Sequence, residues 1–281
     1  MNARLSGQRS KLRAGTFALQ RSMTYSAALK ALTTPPQSAP IIDVTLPEGP
    51  SRRELAPRVK AAGVTGSYLR AGARSPKLNP VAYGAPRGTT SLEGFLFPAT
   101  YQLRRADATA TNLVAKQLAA FKKSFRTIDM KTARSKQLSR YDVIIIASMI
   151  EREALAPKDR PLIAAVIYNR LKQGIPLGID ATLRYKLGNF SQPLKVSELR
   201  LNSAFNTRTR KGLPPTPIGN PGIASLRAAA NPANANYLYY VVKPCGKGAH
   251  NFSSTFQAFQ RDVSAYDRKR RELGGKSPVN C

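Results

Sequence analysis

An unbroken apolar stretch that ends in two glutamates constrains this chain more than any other feature. Residues 143–150 read VIIIASMI, and Glu151, Arg152 and Glu153 follow at once. The run predicts a buried helix, because it has no polar face. Desolvation raises the pKa of a carboxyl group at the end of such a helix, as a general acid requires near neutral pH. The pattern indicates an acid/base site. Ion pairs with Arg152 or Arg160 at a helix end are an equally good interpretation of these residues alone.

Composition narrows the classes of protein and partner. The 281 residues include 45 Lys and Arg against 15 Asp and Glu, a net charge of +30. Such a charge favours polyanions, whether nucleic acid, acidic lipid or a wall polymer. The basic residues are scattered along the chain without a zinc-finger or RNA-recognition motif, so they indicate a solvated surface. No apolar stretch reaches the roughly 20 residues of a membrane helix, and the first residues lack the apolar core of a signal peptide.

The sequence offers little for a metal site or a cofactor. It has two cysteines, Cys245 and Cys281, and one histidine, His250. A zinc site built from cysteine and histidine is therefore excluded in practice, and a serine-histidine triad would have to use His250. We expect no metal and no cofactor. The redox state of the two cysteines stays open.

The pattern of elements changes near residue 90. Before it, short units alternate: residues 12–19 and 41–46 resemble strands, and residues 25–32 and 52–62 resemble helices. Strand-helix units of this size suit a binding module. Residues 72–90 are rich in Gly, Pro, Ser and Arg, which predicts a loop or linker.

After residue 90 the predicted helices are longer, at residues 107–128 and 140–155. Asp159 is predicted to cap a third helix that ends at Gly174. Residues 201–222 contain too many prolines and glycines for a helix or a central strand, so they predict a stiff loop that can line a cleft. A buried strand at 237–242 and a closing helix at 255–269 follow. This order of elements predicts the α+β fold class.

Ten short motifs then occur in the order and spacing of one family. They lie at residues 93–101, 147–153, 166–171, 178–182, 205–206, 212–215, 220–222, 225–230, 237–240 and 250–252. No single motif is decisive, but ten in register make chance a poor explanation. The chain resembles the endolytic murein transglycosylases, the YceG-like family. Residues before 90 resemble the later part of the LysM-like module of that family, and residues 11–17 match one of its strands.

The resemblance implies a reaction. Lytic transglycosylases cleave the β-1,4 bond between N-acetylmuramic acid and N-acetylglucosamine within peptidoglycan, and the sugar's own 6-hydroxyl attacks to leave 1,6-anhydro ends. One carboxyl group can act there as acid and then as base, whereas a common hydrolase needs a second carboxylate. The family's catalytic residue is the second Glu of its E-x-E motif, which is Glu153 here. Glu151 lies about 200° around the helix from Glu153, so both side chains cannot enter one cleft.

Five other polar residues at matching positions are candidate substrate-binding residues: Glu93, Asn206, His250, Asn169 and Asp180. Glu93 either contributes to the cleft or serves as a capping or ion-paired residue. Asn206 is the better cleft candidate, because its amide can donate to and accept from a sugar hydroxyl or N-acetyl group. His250 either binds substrate or holds its loop.

The last two candidates lie on helices. Asn169 and its neighbour Arg170 either orient Glu153 or form a structural pair. Asp180 is expected to cap the helix over residues 181–187.

The sequence also departs from the family at several positions near the expected cleft. Residues 95–97 read FLF where relatives are often rich in tryptophan, and the chain contains no Trp. Ala181 stands where relatives usually have Pro, and Arg208 where Tyr is common. These differences concern sugar stacking and the rim of the cleft.

We therefore expect a partial LysM-like module over residues 1–72, a linker over 73–90, a mostly helical YceG-like catalytic domain with a few short strands over 91–271, and a polar tail over 272–281. The expected partners are peptidoglycan strands and, from the resemblance only, peptidoglycan synthases; no nucleic acid is expected. Family members have one N-terminal membrane helix that is missing here. We expect an upstream segment to encode it and to anchor the protein at the extracytoplasmic face of the cell membrane.

Two other classes of protein stay open. A non-catalytic wall-binding protein would keep the fold with an inert cleft, although Glu153 argues against inertness. A basic nucleic-acid-binding protein would explain the charge and would show steep salt dependence.

Overall fold

The computed structural model of the chain describes residues 12, 14, 17, 19–34 and 40–281. It divides into two units, Met1–Ile41 and Ile42–Cys281. In the first unit, helix α1 (Tyr25–Thr33) begins after Thr24, whose side chain accepts the backbone N–H of Ala27. The predicted helix at 25–32 is confirmed. Half of the predicted strand at 12–19 and more than half of the family match at 11–17 lie outside the described residues.

Short elements come next along the chain. They are β1 (Ile41–Leu46), α2 (Arg52–Ala61), α3 (Tyr68–Ala71) and β2 (Ala99–Arg104), and β1 pairs with β2 in a two-stranded sheet. Of these, the sequence predicted the strand at 41–46 and the helix at 52–62 but not α3 or β2. Helix α2 is capped by Ser51, which shares a reciprocal capping box with Glu54. This pair of bonds defines the start of the helix.

Eight further α-helices follow β2 in the described part of the chain. They are α4 (Ala110–Phe125), α5 (Lys131–Ser135), α6 (Arg140–Glu153), α7 (Arg160–Gln173), α8 (Asp180–Leu187), α9 (Val196–Leu199), α10 (Ile223–Ala230) and α11 (Phe256–Glu272), with an antiparallel hairpin of β3 (Tyr239–Val242) and β4 (His250–Ser253) before α11. Helices α5 and α9 have only five and four residues. The predicted α+β class is confirmed. None of the helices in the described part of the chain is long and apolar enough to cross a membrane.

Helix α6 is the centre of the core. Its residues from Val143 to Ile150 are at most 3% exposed, as their unbroken apolar pattern predicted. Helices α7 and α10 pack against α6. A capping box between Ser139 and Asp142 defines its first turn. Its buried length fixes where its last turn, with both glutamates, emerges.

The predicted domain boundaries at 72 and 90 lie inside the second unit. Within the stretch predicted as a linker, Leu78, Pro80 and Ala85 are buried. The C-terminal tail is tied to the hairpin turn, because Cys281 forms a disulfide with Cys245. A functional division at these boundaries stays a prediction.

Candidate active site

Glu153 is the last residue of α6, where the helix leaves the core. Its side chain is partly buried, and its Oε2 accepts a hydrogen bond of 3.0 Å from the hydroxyl of Tyr240 on β3. Ala154 adopts an extended conformation and ends the helix. No lysine or arginine forms a salt bridge with Glu153 among the described residues.

The surroundings of Glu153 favour its protonated form. Burial raises its pKa to about 7, and the negative charge of Asp180 acts in the same direction. The Tyr240 hydrogen bond and the positive charge of Arg184 oppose this shift. A carboxyl group with this pKa is divided between acid and conjugate base at neutral pH, as acid/base catalysis requires.

The β3–β4 hairpin places Tyr240 at the end of α6. Tyr240 pairs with Phe252 in the hairpin register, and its ring meets the edge of His250 at 5.4 Å. Asp159 Oδ2 accepts the backbone N–H of His250 at 2.7 Å and pairs with its Nδ1 at 2.9 Å. The predicted capping role of Asp159 is wrong, because its carboxylate holds β4 and makes no cap bond to α7. The ring of His250 packs against the ring of Tyr240, and direct contact of His250 with substrate stays a prediction.

Asn169 and Arg170 hold the chain that enters β3. The amide of Asn169 donates to the carbonyls of Ala235 and Tyr237 at 2.9 and 2.8 Å. Arg170 Nε donates to the carbonyl of Leu238 at 2.6 Å. Neither side chain hydrogen-bonds to Glu153, so any orienting effect passes through the strand that carries Tyr240.

The carboxylate of Glu151 has different partners: an arginine side chain and a backbone N–H. Its Oε1 accepts from Arg160 at 3.2 Å, and its Oε2 accepts the backbone N–H of Gly222 at 2.9 Å. A side chain at position 222 would collide with the carboxylate of Glu48. Arg152 pairs with Glu54 instead of either glutamate. The ion-pair interpretation therefore holds for Glu151 and not for Glu153.

Glu93 is inside the protein, only 1% exposed. Its carboxylate accepts the backbone N–H of Arg52 at 3.1 Å, the amide of Asn220 at 2.9 Å and the hydroxyl of Tyr185 at 3.2 Å. Desolvation is the main cause that raises its pKa. Of the alternatives left by the sequence, the structure shows the capping and ion-paired one, since Arg52 begins α2 and its Nε lies 3.5 Å from Glu93.

Asn206 and Asp180 take positions that their residue types alone did not predict. Asn206 is fully buried, and its amide donates to the carbonyls of Leu199 and Leu201 at 3.0 and 2.9 Å. It organises its loop, and contact with substrate stays a prediction. The predicted capping role of Asp180 is wrong: it lies inside the first turn of α8, makes no cap bond and pairs with Arg208.

Sequence reasoning missed three residues that shape this site: Tyr240, Asp159 and Arg184. Tyr240 lies in a recognised motif, yet its bond to Glu153 depends on how a strand 87 residues away meets α6. Asp159 carried a misleading local signal, because an aspartate before a helix normally caps it.

Cavity size does not identify this site. A cavity of about 750 Å³ lies along α7, with Ala165, Tyr168 and Asn169 in its wall, and Glu153 does not line it. No cluster of three His, Cys, Asp or Glu side chains suited to a metal occurs within the described ranges. The site is defined by the chemistry of Glu153.

The sequence profile of the YceG-like family matches residues 1–265. The chain belongs to the YceG-like family. A solved structure of a YceG-like protein from Listeria monocytogenes agrees, with a TM-score of 0.69, 26% identity and coverage of 92% of this chain and 88% of that chain.

Two curated relatives align with part of this chain. The endolytic murein transglycosylase of Bacillus subtilis is 33% identical over 181 residues, 64% of this chain and 49% of that protein. The Streptococcus pneumoniae R6 protein of the same name is 30% identical over 259 residues, 82% of this chain and 46% of that protein. The chain spans about half the length of the curated relatives it matches.

Replacing Tyr240 by Phe is expected to raise the pKa of Glu153 by roughly one unit above about 7. The lost hydroxyl donates to the carboxylate and stabilises its charged form. The pKa is measured by NMR titration of the carboxyl carbon. Tyr239→Phe is the matched control, because the ring of Tyr239 stacks on Phe259. A pKa that stays or falls in Tyr240→Phe would show that the bond does not stabilise the carboxylate.

Proposed function

We propose that this chain is the catalytic part of a lytic transglycosylase that cleaves the β-1,4 bond between N-acetylmuramic acid and N-acetylglucosamine within peptidoglycan strands. The observation that carries the proposal is Glu153, a carboxyl group with a pKa raised to about 7 and a tyrosine hydroxyl on its Oε2. Family membership and the names of the two relatives support the same reaction class.

The chemistry needs one residue in two states. Protonated Glu153 donates its proton to the glycosidic oxygen as the bond from this oxygen to the anomeric carbon breaks. The resulting carboxylate then accepts the proton of the 6-hydroxyl as that oxygen bonds to the anomeric carbon. The products are a 1,6-anhydro end and a free hydroxyl on the released sugar. Glu153 regains its proton, and no water is consumed.

The Tyr240 hydroxyl acts at the stage when Glu153 is a charged carboxylate. When Glu153 has donated its proton, the hydrogen bond from Tyr240 stabilises the carboxylate in a partly dry site. When Glu153 is protonated, burial keeps it from losing the proton to solvent. The two effects oppose each other, which places the pKa near the working pH.

Digestion of purified peptidoglycan sacculi tests the proposal. Mass spectrometry of the released fragments is expected to show 1,6-anhydro ends and internal cleavage of the strands. Reducing ends in their place would show a hydrolase, and intact sacculi would favour a non-catalytic wall-binding protein.

We also propose that the protein works at the extracytoplasmic face of the cell membrane, next to peptidoglycan synthases. The disulfide between Cys245 and Cys281 supports this location, because disulfides persist in oxidising compartments. A membrane-impermeant protease added to intact cells or spheroplasts should cleave the protein, and full protection of the protein would contradict the location.

A further inference from the structure

The loop that follows Asn206 is fixed to the start of α8 by buried polar bonds. The backbone N–H of Gly178 donates to the carbonyl of Thr207 at 2.7 Å, and the N–H of Ile179 donates to the Thr207 hydroxyl at 3.0 Å. Thr207 is 2% exposed. The next residue, Arg208, is therefore held opposite Asp180, the first residue of α8.

Arg208 and Asp180 form a pair that uses little of the guanidinium. Arg208 Nη1 donates to Asp180 Oδ1 at 2.6 Å, and the two side chains are 42% and 44% exposed. Within the described part of the chain, Asp180 is the only hydrogen-bond partner of this guanidinium. Arginine has five N–H donors in a planar fork that matches a carboxylate, and the other four have no hydrogen-bond partner among the described residues.

Helix α8, which begins at Asp180, packs against α6, which ends at Glu153. Asp180 and Arg184 are one turn apart on α8, so their side chains share a face. Both act on the Glu153 carboxyl through their charge, Asp180 raising its pKa and Arg184 lowering it, while Tyr240 faces it from β3. Arg184 is anchored by a bond of 2.7 Å to the carbonyl of Gln192. Arg208 and Arg184 thus bring two positive charges to the start of α8. The one negative charge there, on Asp180, is already paired with Arg208.

We propose that Arg208, held in place by Asp180, binds a carboxylate carried by the glycan chain beside the bond that Glu153 cleaves. The inference rests on the proposed function and names the chemistry of its substrate. Two groups on a peptidoglycan strand carry this chemistry: the lactyl group of muramic acid where no peptide is attached, and the free carboxylates of attached peptides. Asp180 both orients the guanidinium and leaves its outer donors free.

Binding in the Glu153→Gln background, where cleavage is expected to be roughly 10²- to 10⁴-fold slower, tests the inference by calorimetry. Three ligands of equal length are compared: peptide-bearing glycan, glycan stripped of peptide by an amidase, and a chitin oligomer, which has the same backbone without carboxylates. Arg208→Ala is expected to weaken binding of a carboxylate-bearing glycan by about tenfold or more, since a hydrogen bond to a charged group has about this effect. Binding of the chitin oligomer should stay within about twofold of the parent.

Arg210→Ala is the matched control. Arg210 lies on the same loop, carries the same charge and bonds to Asn202 at 2.9 Å, away from Asp180. It should leave all three affinities nearly unchanged. Equal losses in both variants, an equal loss for chitin, or no loss in Arg208→Ala would overturn the inference. A loss for stripped glycan identifies the lactyl carboxylate, and a loss for peptide-bearing glycan identifies the peptide.

Failure of the proposed function gives a different result. If the active chain produces reducing ends, or cleaves nothing, the proposed transglycosylase reaction is wrong, whatever Arg208 binds. The affinities are measured in a cleavage-deficient background, so they decide the role of Arg208 separately.

Discussion

Glu153→Gln is expected to lower turnover of peptidoglycan by roughly 10²- to 10⁴-fold with the fold and glycan binding intact. Glutamine keeps the shape of the side chain and can still accept from Tyr240, but it has no proton to transfer. Release of anhydro ends by wild type and variant is followed by mass spectrometry. Near-normal release by the variant would remove Glu153 from the acid/base role.

Thermal melts of Glu153→Gln provide a test of the same residue without substrate. The pKa of Glu153 in the folded protein is about 7 against an ordinary value of 4.5. The folded state holds this proton more tightly, so the wild type loses stability as the pH rises from 4.5 through 7. The Glu153→Gln variant does not lose stability in this way, because glutamine does not titrate. The variant should gain on the order of 1–3 kcal/mol relative to wild type above pH 7, less than the full shift because solvent reaches the carboxyl, and nothing below pH 4.5.

Glu151→Gln is the matched control for the chemistry. Glu151 is two residues away on the same helix, but it bonds to Arg160 and to the backbone of Gly222. We expect Glu151→Gln mainly to lower the free energy of unfolding, because Arg160 would keep a partly buried charge without its partner. An inactive but folded Glu151→Gln with an active Glu153→Gln would reverse the assignment.

Glu93→Ala is expected to destabilise the protein by about 3–5 kcal/mol. Its buried carboxylate accepts from the backbone of Arg52, from Asn220 and from Tyr185, and all three donors would be left without this acceptor. The free energy of unfolding is measured by chemical denaturation.

Glu272→Gln is the control for this loss, because Glu272 pairs with Lys269 at 3.0 Å on the surface. An exposed pair of this kind contributes at most about 1 kcal/mol. If Glu93→Ala and Glu272→Gln lose similar stability, the buried network around Glu93 contributes far less than its hydrogen bonds indicate.

Local sequence patterns predicted the longest helices of this fold but not α3, α5, α9 or α10. The apolar run predicted α6, and Pro161 in the first turn and Gly174 after the last turn mark the two ends of α7. The strand β1 begins and ends where alternation predicted. These signals succeed because proline and glycine act within a few residues of the chain. The burial of β3 was overestimated, since all four of its residues are only half-buried.

The site was less accessible to sequence reasoning. Periodicity cannot separate Glu151 from Glu153, because α6 is apolar on nearly every side and only its tertiary neighbours distinguish the two. Asp159 lies where a helix cap is expected, but its carboxylate accepts the backbone N–H of His250 instead. Arg208 and Asp180 are 28 residues apart and meet through the buried bonds of Thr207. Contacts of this kind depend on the assembled fold.

Digestion of peptidoglycan in water enriched in heavy oxygen distinguishes internal attack from hydrolysis in one measurement. If Glu153 serves the sugar's own 6-hydroxyl, the new ends are anhydro sugars that carry no heavy oxygen. If the chain activates water instead, each new reducing end carries one heavy oxygen atom, and the proposed reaction is wrong.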